Sequence, residues 1–154
     1  MEEILRFQKY MLLIRKIIGW TSEEFGRQIG VTRQTINNLE KNNRDKFKLN
    51  KTQYIAMRSV LDGQIIMHPE ETKTLQLILN IAIDYPEKYM NKEKQIFLDK
   101  INMMPNFFNQ SLLTKDFAQN INEIFNITLA SGTEGAKYKV GSWLIKSVTS
   151  DKEK

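Results

Sequence analysis

The sequence has no cysteine among its 154 residues, one histidine and three prolines. Without a thiol it forms no disulfide and no thiolate metal site. The lone imidazole, His68, stands just before Pro69 at a break in the hydrophobic pattern. That is a place for a cap or a surface group rather than for a general base. Ligand residues are nowhere paired at metal-binding spacing. No glycine-rich phosphate loop follows a strand-like segment. The Glu70, Glu71, Lys73 and Glu93, Lys94 groups fall on expected helices, whereas the carboxylate–lysine sets of metal nucleases need a strand to present them. Long apolar runs are missing too. A bilayer span needs about 18 such residues, and the best stretch, Leu75 to Ile83, is interrupted by Asn80. Met1-Glu2-Glu3 is acidic where a secretory leader would be basic. These absences point away from an enzyme, a cofactor, a metal and a membrane. The expectation is a soluble, cytoplasmic protein.

Positive charge is present, and it is unevenly placed. The formal net charge is +5. Residues 1–63 carry 12 Lys/Arg against 7 Asp/Glu, and residues 64–154 carry 11 of each. The whole excess therefore belongs to the N-terminal part, where Arg33, Lys41, Arg44, Lys46, Lys48 and Lys51 are grouped. A basic run is ordinarily a solvated loop. Beside a helix of the right polar composition it becomes the electrostatic footprint of a phosphate backbone.

Residues 20–40 supply that helix. Thr21 lies three before Glu24, the spacing of a capping box that satisfies two orphan amides at a helix start. Phe25 and Ile29 share one face. Gly26 falls where two helices would cross closely, and Gly30 follows the last turn, where a left-handed backbone is common. Thr32 is placed to cap the next helix. Ile36 and Leu39 point inward together. The segment reads as two helices, roughly 22–29 and 33–41, joined by a glycine turn, with Arg33, Gln34, Thr35, Asn37, Asn38 and Lys41 left facing outward. That is a helix-turn-helix, whose usual partner is the major groove of DNA.

The stretch resembles the Cro/repressor (Xre-like) family of phage and bacterial regulators. Members typically read Thr-Gln-Glu-Glu-Leu-Ala, then Gly-Val-Ser-Arg-Gln-Thr-Ile, then an acidic residue. Here the matching residues are Thr21-Ser22-Glu23-Glu24-Phe25-Gly26, then Gly30-Val31-Thr32-Arg33-Gln34-Thr35-Ile36, then Glu40. The resemblance covers roughly residues 4–62 and implies a domain of four or five helices. One departure matters: Ser22 occupies the place of the family's glutamine. Serine can still bond a phosphate, but it cannot reach across to brace Gln34. By the resemblance, Thr32, Arg33, Gln34 and Asn38 are expected at base edges. The chemistry suits them, since arginine pairs bidentately with guanine and glutamine or asparagine with adenine. Ser22, Thr35, Asn37, Lys41, Asn42, Arg44, Lys46 and Lys48 are expected at phosphates.

The rest of the chain also reads as helical, which makes the expected fold class all-α. Ile4 to Ile18 forms a first helix with Leu5, Phe7, Met11, Leu12, Ile14, Ile17 and Ile18 on a wide apolar face, ended by Gly19. Asn42 to Asn50 is a basic loop pinned by Phe47 and Leu49. Asn50 and Gln53 start a fourth helix, which Asp62-Gly63 closes. A boundary is expected at 63–68, giving an N-terminal domain at 1–63, a second helical domain at 69–148 and a tail at 149–154. Pro69 suits a first helical position, with Glu70 and Glu71 in the first turn. That helix, running to Asp84, is apolar nearly all round and must be buried on several sides, against the first domain or a second subunit. Further helices are expected over 87–101, from Thr114 to Ile127 and from Ala136 to Ser147, with a short piece after Pro105. The Phe107-Phe108 pair and Trp143 are candidate interface anchors and equally candidate core.

These features together give the expectation of a sequence-specific double-stranded DNA-binding transcriptional regulator, a repressor acting as a homodimer on a palindromic operator. An alternative of another class is a mobile-element inhibitor or antitoxin. Such a protein would bind a nuclease or toxin through the second domain and regulate itself through the helix-turn-helix. The missing glutamine at Ser22 and the large unassigned second half keep that alternative beside the leading reading.

Overall fold

Ile4, Phe7, Met11, Ile14 and Ile17 recur every three or four residues, and all five are buried on one side of the helix Glu2–Ile18 (α1). Leu5 and Leu12, expected on the same face, are 43% and 40% exposed. The buried stripe is therefore narrower than composition alone implied. The computed structural model describes residues 2–41, 46–89, 91–102, 141, 143 and 144. After α1 come Ser22–Ile29 (α2), Arg33–Glu40 (α3) and Lys51–Met67 (α4). Lys73–Ile78 (α5) passes directly into a π-helical segment, Leu79–Asp84, followed by a 3₁₀ turn, Pro86–Lys88, and Asn91–Asn102 (α6). The fold is all-α, with no strand among the described residues.

Local capping sets several of these boundaries. At the start of α4, Gln53 N donates to Asn50 Oδ1 at 2.8 Å and Asn50 N to Gln53 Oε1 at 3.1 Å, a complete capping box. The expected close of this helix at Asp62-Gly63 is not found. Helix α4 runs on to Met67, and Gly63 sits in its interior. Leu61 and Ile65 continue the buried face past the glycine. Their burial outweighs a propensity cost of about 1 kcal/mol. Pro69 likewise does not begin a helix. Residues 69–72 form a turn in which Thr72 N and Oγ1 both donate to His68 O, at 3.1 and 2.7 Å. Gln76 Nε2 reaches back to Pro69 O at 2.9 Å. These side chains satisfy the turn's carbonyls, and the helix begins only at Lys73.

The apolar segment Leu75–Ile83 is buried as its composition requires, and α1 covers it: Phe7 and Met11 join one core with Leu75, Ile78, Leu79 and Ile83. Arg6 on α1 donates from Nε and Nη2 to Ile83 O, at 3.0 and 2.8 Å. Two polar residues of the π-helical segment are also matched. Tyr89 Oη donates to Asn80 Oδ1 at 2.8 Å. Asp84 meets the fully buried Arg58 of α4 with two hydrogen bonds, at 2.7 and 2.8 Å. Trp143, weighed above as an interface anchor, lies in this core. Its ring is 5.1 Å from the Arg58 guanidinium, and its Nε1 donates to Asp62 Oδ2 at 2.7 Å. Of the helices expected at 87–101, the 3₁₀ turn and α6 are present, with Tyr89 and Phe97 buried. Phe107, Phe108, the short piece after Pro105 and the helix expected from Thr114 to Ile127 lie outside the described residues, as does the helix expected from Ala136 to Ser147 apart from residues 141, 143 and 144.

Candidate nucleic-acid interface

Helix α2 starts where its capping box places it. Glu24 N donates to Thr21 Oγ1 at 3.0 Å, and Thr21 N donates to Glu24 Oε2 at 2.9 Å. Phe25 is buried beside Trp20, with ring centroids 5.8 Å apart. Gly30 ends the helix at φ 78°, the left-handed region that side chains avoid. The chain then folds back so tightly that a Cβ on Gly26 would stand 2.6 Å from Val31 O. Helix α3 begins at once, with Thr35 N donating to its cap, Thr32 Oγ1, at 3.2 Å. Ile36 and Leu39 anchor it inward.

Three polar residues that sequence reasoning did not single out as anchors fix α3 at its other end. Arg15 of α1 grips Glu40 with two hydrogen bonds, at 2.7 and 3.1 Å, and donates to Trp20 O at 3.0 Å. Gln8, also on α1, donates to Leu39 O at 3.1 Å and Phe47 O at 2.7 Å, and accepts from Leu49 N at 3.0 Å. The signal for Gln8 was there to read. It lies four after Ile4 and three before Met11, so it falls on the buried stripe of α1. A buried glutamine amide must find several partners, and the carbonyls at the end of α3 and in the following loop supply them.

The outward side of α3 is therefore held from behind and left open in front. Thr32, Arg33 and Gln34 are exposed, while Thr35, Asn37 and Asn38 are half-buried. Arg33 has no side-chain partner among the described residues. Gln34 Nε2 donates to Asn38 Oδ1 at 3.0 Å, and Lys41 Nζ approaches the same oxygen at 3.4 Å. The Thr32 hydroxyl is occupied by its own cap and by Thr35 Oγ1 at 3.1 Å. Ser22 is half-buried at the start of α2. Lys41, Lys46 and Lys48 are exposed beyond α3, with Lys46 Nζ 5.4 Å from the Phe47 ring centroid. Asn42 and Arg44 lie outside the described residues.

Electrostatics favour an anion on this face. The only acid in α3 is Glu40, and Arg15 neutralises it on the inner side. The amino end of the helix, with its unpaired N–H groups and positive partial charge, carries no acidic residue in its first turn and lies beside Arg33. An eight-residue helix with a cationic tip, two side-chain amides behind it and lysines just past its end has the dimensions and donor set for a major groove.

Residues 12–50 match the family model described as Helix-turn-helix, from the middle of α1 to the cap of α4. The matched segment contains the residues that carry the Cro/repressor resemblance. No curated protein and no solved structure matches the chain.

Proposed function

We propose that a helix-turn-helix at residues 12–50 makes this chain a sequence-specific double-stranded DNA-binding transcriptional regulator of the Cro/repressor type, acting as a homodimeric repressor. The observation that carries the reading is the exposed face of α3: Arg33 and Gln34 project from a helix whose carboxyl end is clamped by Arg15 and Gln8. Arg33 is assigned to a guanine, through paired bonds to O6 and N7, and Gln34 to an adenine. Thr32 and Asn38 flank them at the base edges. Ser22, Thr35, Asn37, Lys41, Asn42, Arg44, Lys46 and Lys48 are assigned to phosphates, which set register and salt dependence.

The homodimer follows from the economy of one short helix. A single α3 meets only a few base pairs, and a two-fold pair of them on half-sites about 10 base pairs apart doubles the sequence read. Occupancy of such a palindrome blocks polymerase. Selection of bound duplexes from a random pool at about 150 mM salt tests this reading. A palindrome of that spacing is the expected product, and Arg33→Ala should lose about 1–3 kcal/mol on it and accept other bases at one position of each half-site. Recovery of no motif, or an Arg33→Ala protein that binds as the parent does, overturns it.

A further inference from the structure

Resting on the DNA-binding reading above, we propose that Arg27 of α2 clamps a backbone phosphate in the groove beside the tip of α3, and that Glu23 competes with that phosphate for it. Glu23 and Arg27 stand two residues either side of Phe25. At about 3.6 residues per turn, that spacing turns both away from the face that Phe25 buries. Past the tight turn at Gly30, the outward face of α2 and the start of α3 border an open groove of about 500 Å³. Its lining is Glu23, Arg27, Val31, Thr32 and Arg33. Arg27 thus shares a space with Thr32 and Arg33, the leading end of the reading helix.

When the second helix of a helix-turn-helix lies in a major groove, the first crosses the DNA backbone. A side chain that shares the groove with Arg33 but stands on α2 therefore faces phosphate rather than bases. Arginine suits that place, because its guanidinium meets two phosphate oxygens with parallel N–H bonds. In the free chain Arg27 Nη2 makes one contact to Glu23 Oε1, at 3.4 Å, with both side chains largely exposed. The pair is longer and single, against the two bonds of 2.7 and 3.1 Å that hold Arg15 to Glu40. An exposed pair of this kind contributes little, so a phosphate displaces it readily. The exchange still has a cost, since the carboxylate gives up its cation and stays beside a phosphate. Glu24, not Glu23, closes the capping box of α2, so Glu23 can be neutralised without losing the helix start. Glu23 thereby acts as a brake on affinity that is the same for every DNA sequence.

The test uses the full chain and a fluorescein-labelled duplex of random sequence, because a phosphate contact carries no sequence information. Affinity is read from anisotropy at several salt concentrations, and circular dichroism checks that each variant keeps the parent's helicity. Arg27→Ala should weaken binding about 10-fold at low salt and flatten the slope of log affinity against log salt by about 1. Glu23→Gln should tighten binding about 3-fold, and that gain should disappear in the Arg27→Ala background. Lys73→Ala removes a cation from α5, where it pairs with Glu70 at 3.0 Å, and should leave affinity and slope unchanged. An Arg27→Ala protein with the parent's slope, or a Glu23→Gln protein no tighter than the parent, overturns the proposal. So does a Glu23→Gln gain that persists without Arg27, or a Lys73→Ala protein that flattens the slope as much as Arg27→Ala. None of these touches the reading of bases by Arg33, which selection from a random pool tests. A parent that binds no duplex at all overturns both.

Discussion

Gln34 donates its side-chain amide to Asn38 Oδ1 at 3.0 Å, one turn further along the same helix. Lys41 approaches that oxygen as well, so the Asn38 amide is turned with its acceptor toward Gln34. Ser22 is too short to brace Gln34 from α2, and α3 supplies a brace from within itself. With one N–H committed, Gln34 keeps one donor and its carbonyl oxygen, the pair that an adenine edge requires. The two residues should therefore act as a unit on DNA. In a double-mutant cycle of Gln34→Ala and Asn38→Ala, measured as affinity for the selected duplex, the coupling should be about 0.5–3 kcal/mol. Losses that simply add would show that Asn38 meets the DNA independently of Gln34.

Three glycines should respond differently to alanine. A Cβ on Gly26 would press to 2.6 Å against Val31 O, a backbone atom that cannot move without opening the turn. Overpacking of this kind costs about 1–3 kcal/mol, more than the 0.5–1 kcal/mol or so that alanine returns in a helix. Gly30→Ala meets no atom within 4 Å but must hold φ near 78°, so a loss of about 1 kcal/mol is expected there. Gly63 lies within α4 with open space around it, and Gly63→Ala should stabilise by about 0.4–1 kcal/mol. Urea midpoints of the three variants rank them, and a Gly26→Ala protein as stable as the parent would contradict the close crossing.

The Arg58–Asp84 pair is buried on both sides, with side chains 0% and 2% exposed. Removing one partner leaves a charge in the core. Asp84→Leu alone should cost about 3–5 kcal/mol, whereas Arg58→Met with Asp84→Leu should cost less than either single change. Chemical denaturation of the three variants checks the order. A double variant as unstable as the sum of the singles would mean that the pair contributes more than mutual neutralisation.

Tyr54 gives the fold an alkaline limit. Burial pushes its phenol well above the usual tyrosine range, and the neighbouring Arg58 guanidinium only partly opposes this. The folded chain keeps the phenol protonated where the unfolded chain, with an ordinary value near ~10, releases the proton. Stability is thus undiminished below that pH and falls as pH rises above it. Urea midpoints should drop more steeply between about pH 9 and 11 in the parent than in Tyr54→Phe. Parallel slopes would show that Tyr54 titrates freely in the folded state.

How far the sequence could be read depended on how far apart the cooperating residues lie. Thr21 with Glu24 and Asn50 with Gln53 are each three apart, and their capping boxes form as spacing alone dictates. Gly26 and Gly30 were legible for the same reason: one turn needs both. The outward face of α3 followed from the inward pull of Ile36 and Leu39. Gly63 misled because glycine stops a helix only when nothing beyond it must be buried, and Ile65 lies just past it. The clamp of Arg15 on Glu40 joins residues 25 apart, and Gln8 reaches one 41 away. No local rule pairs such residues. The π-helical turn that carries Asp84 was equally invisible, since its partner, Arg58, lies on another helix.

Arg58 is made before its carboxylate. During synthesis the residues of the helix-turn-helix and of α4 leave the ribosome while Asp84 is still to come, 26 residues behind Arg58. Until then the guanidinium lacks the carboxylate that meets it with two hydrogen bonds, and a deficit of about 3–5 kcal/mol is a large part of a total stability of about 5–15 kcal/mol. On that account the nascent half should stay loose until Asp84 is added. A chain broken off before Asp84 would emerge as easy prey for proteases rather than as a partial reader competing for the full-length protein's sites.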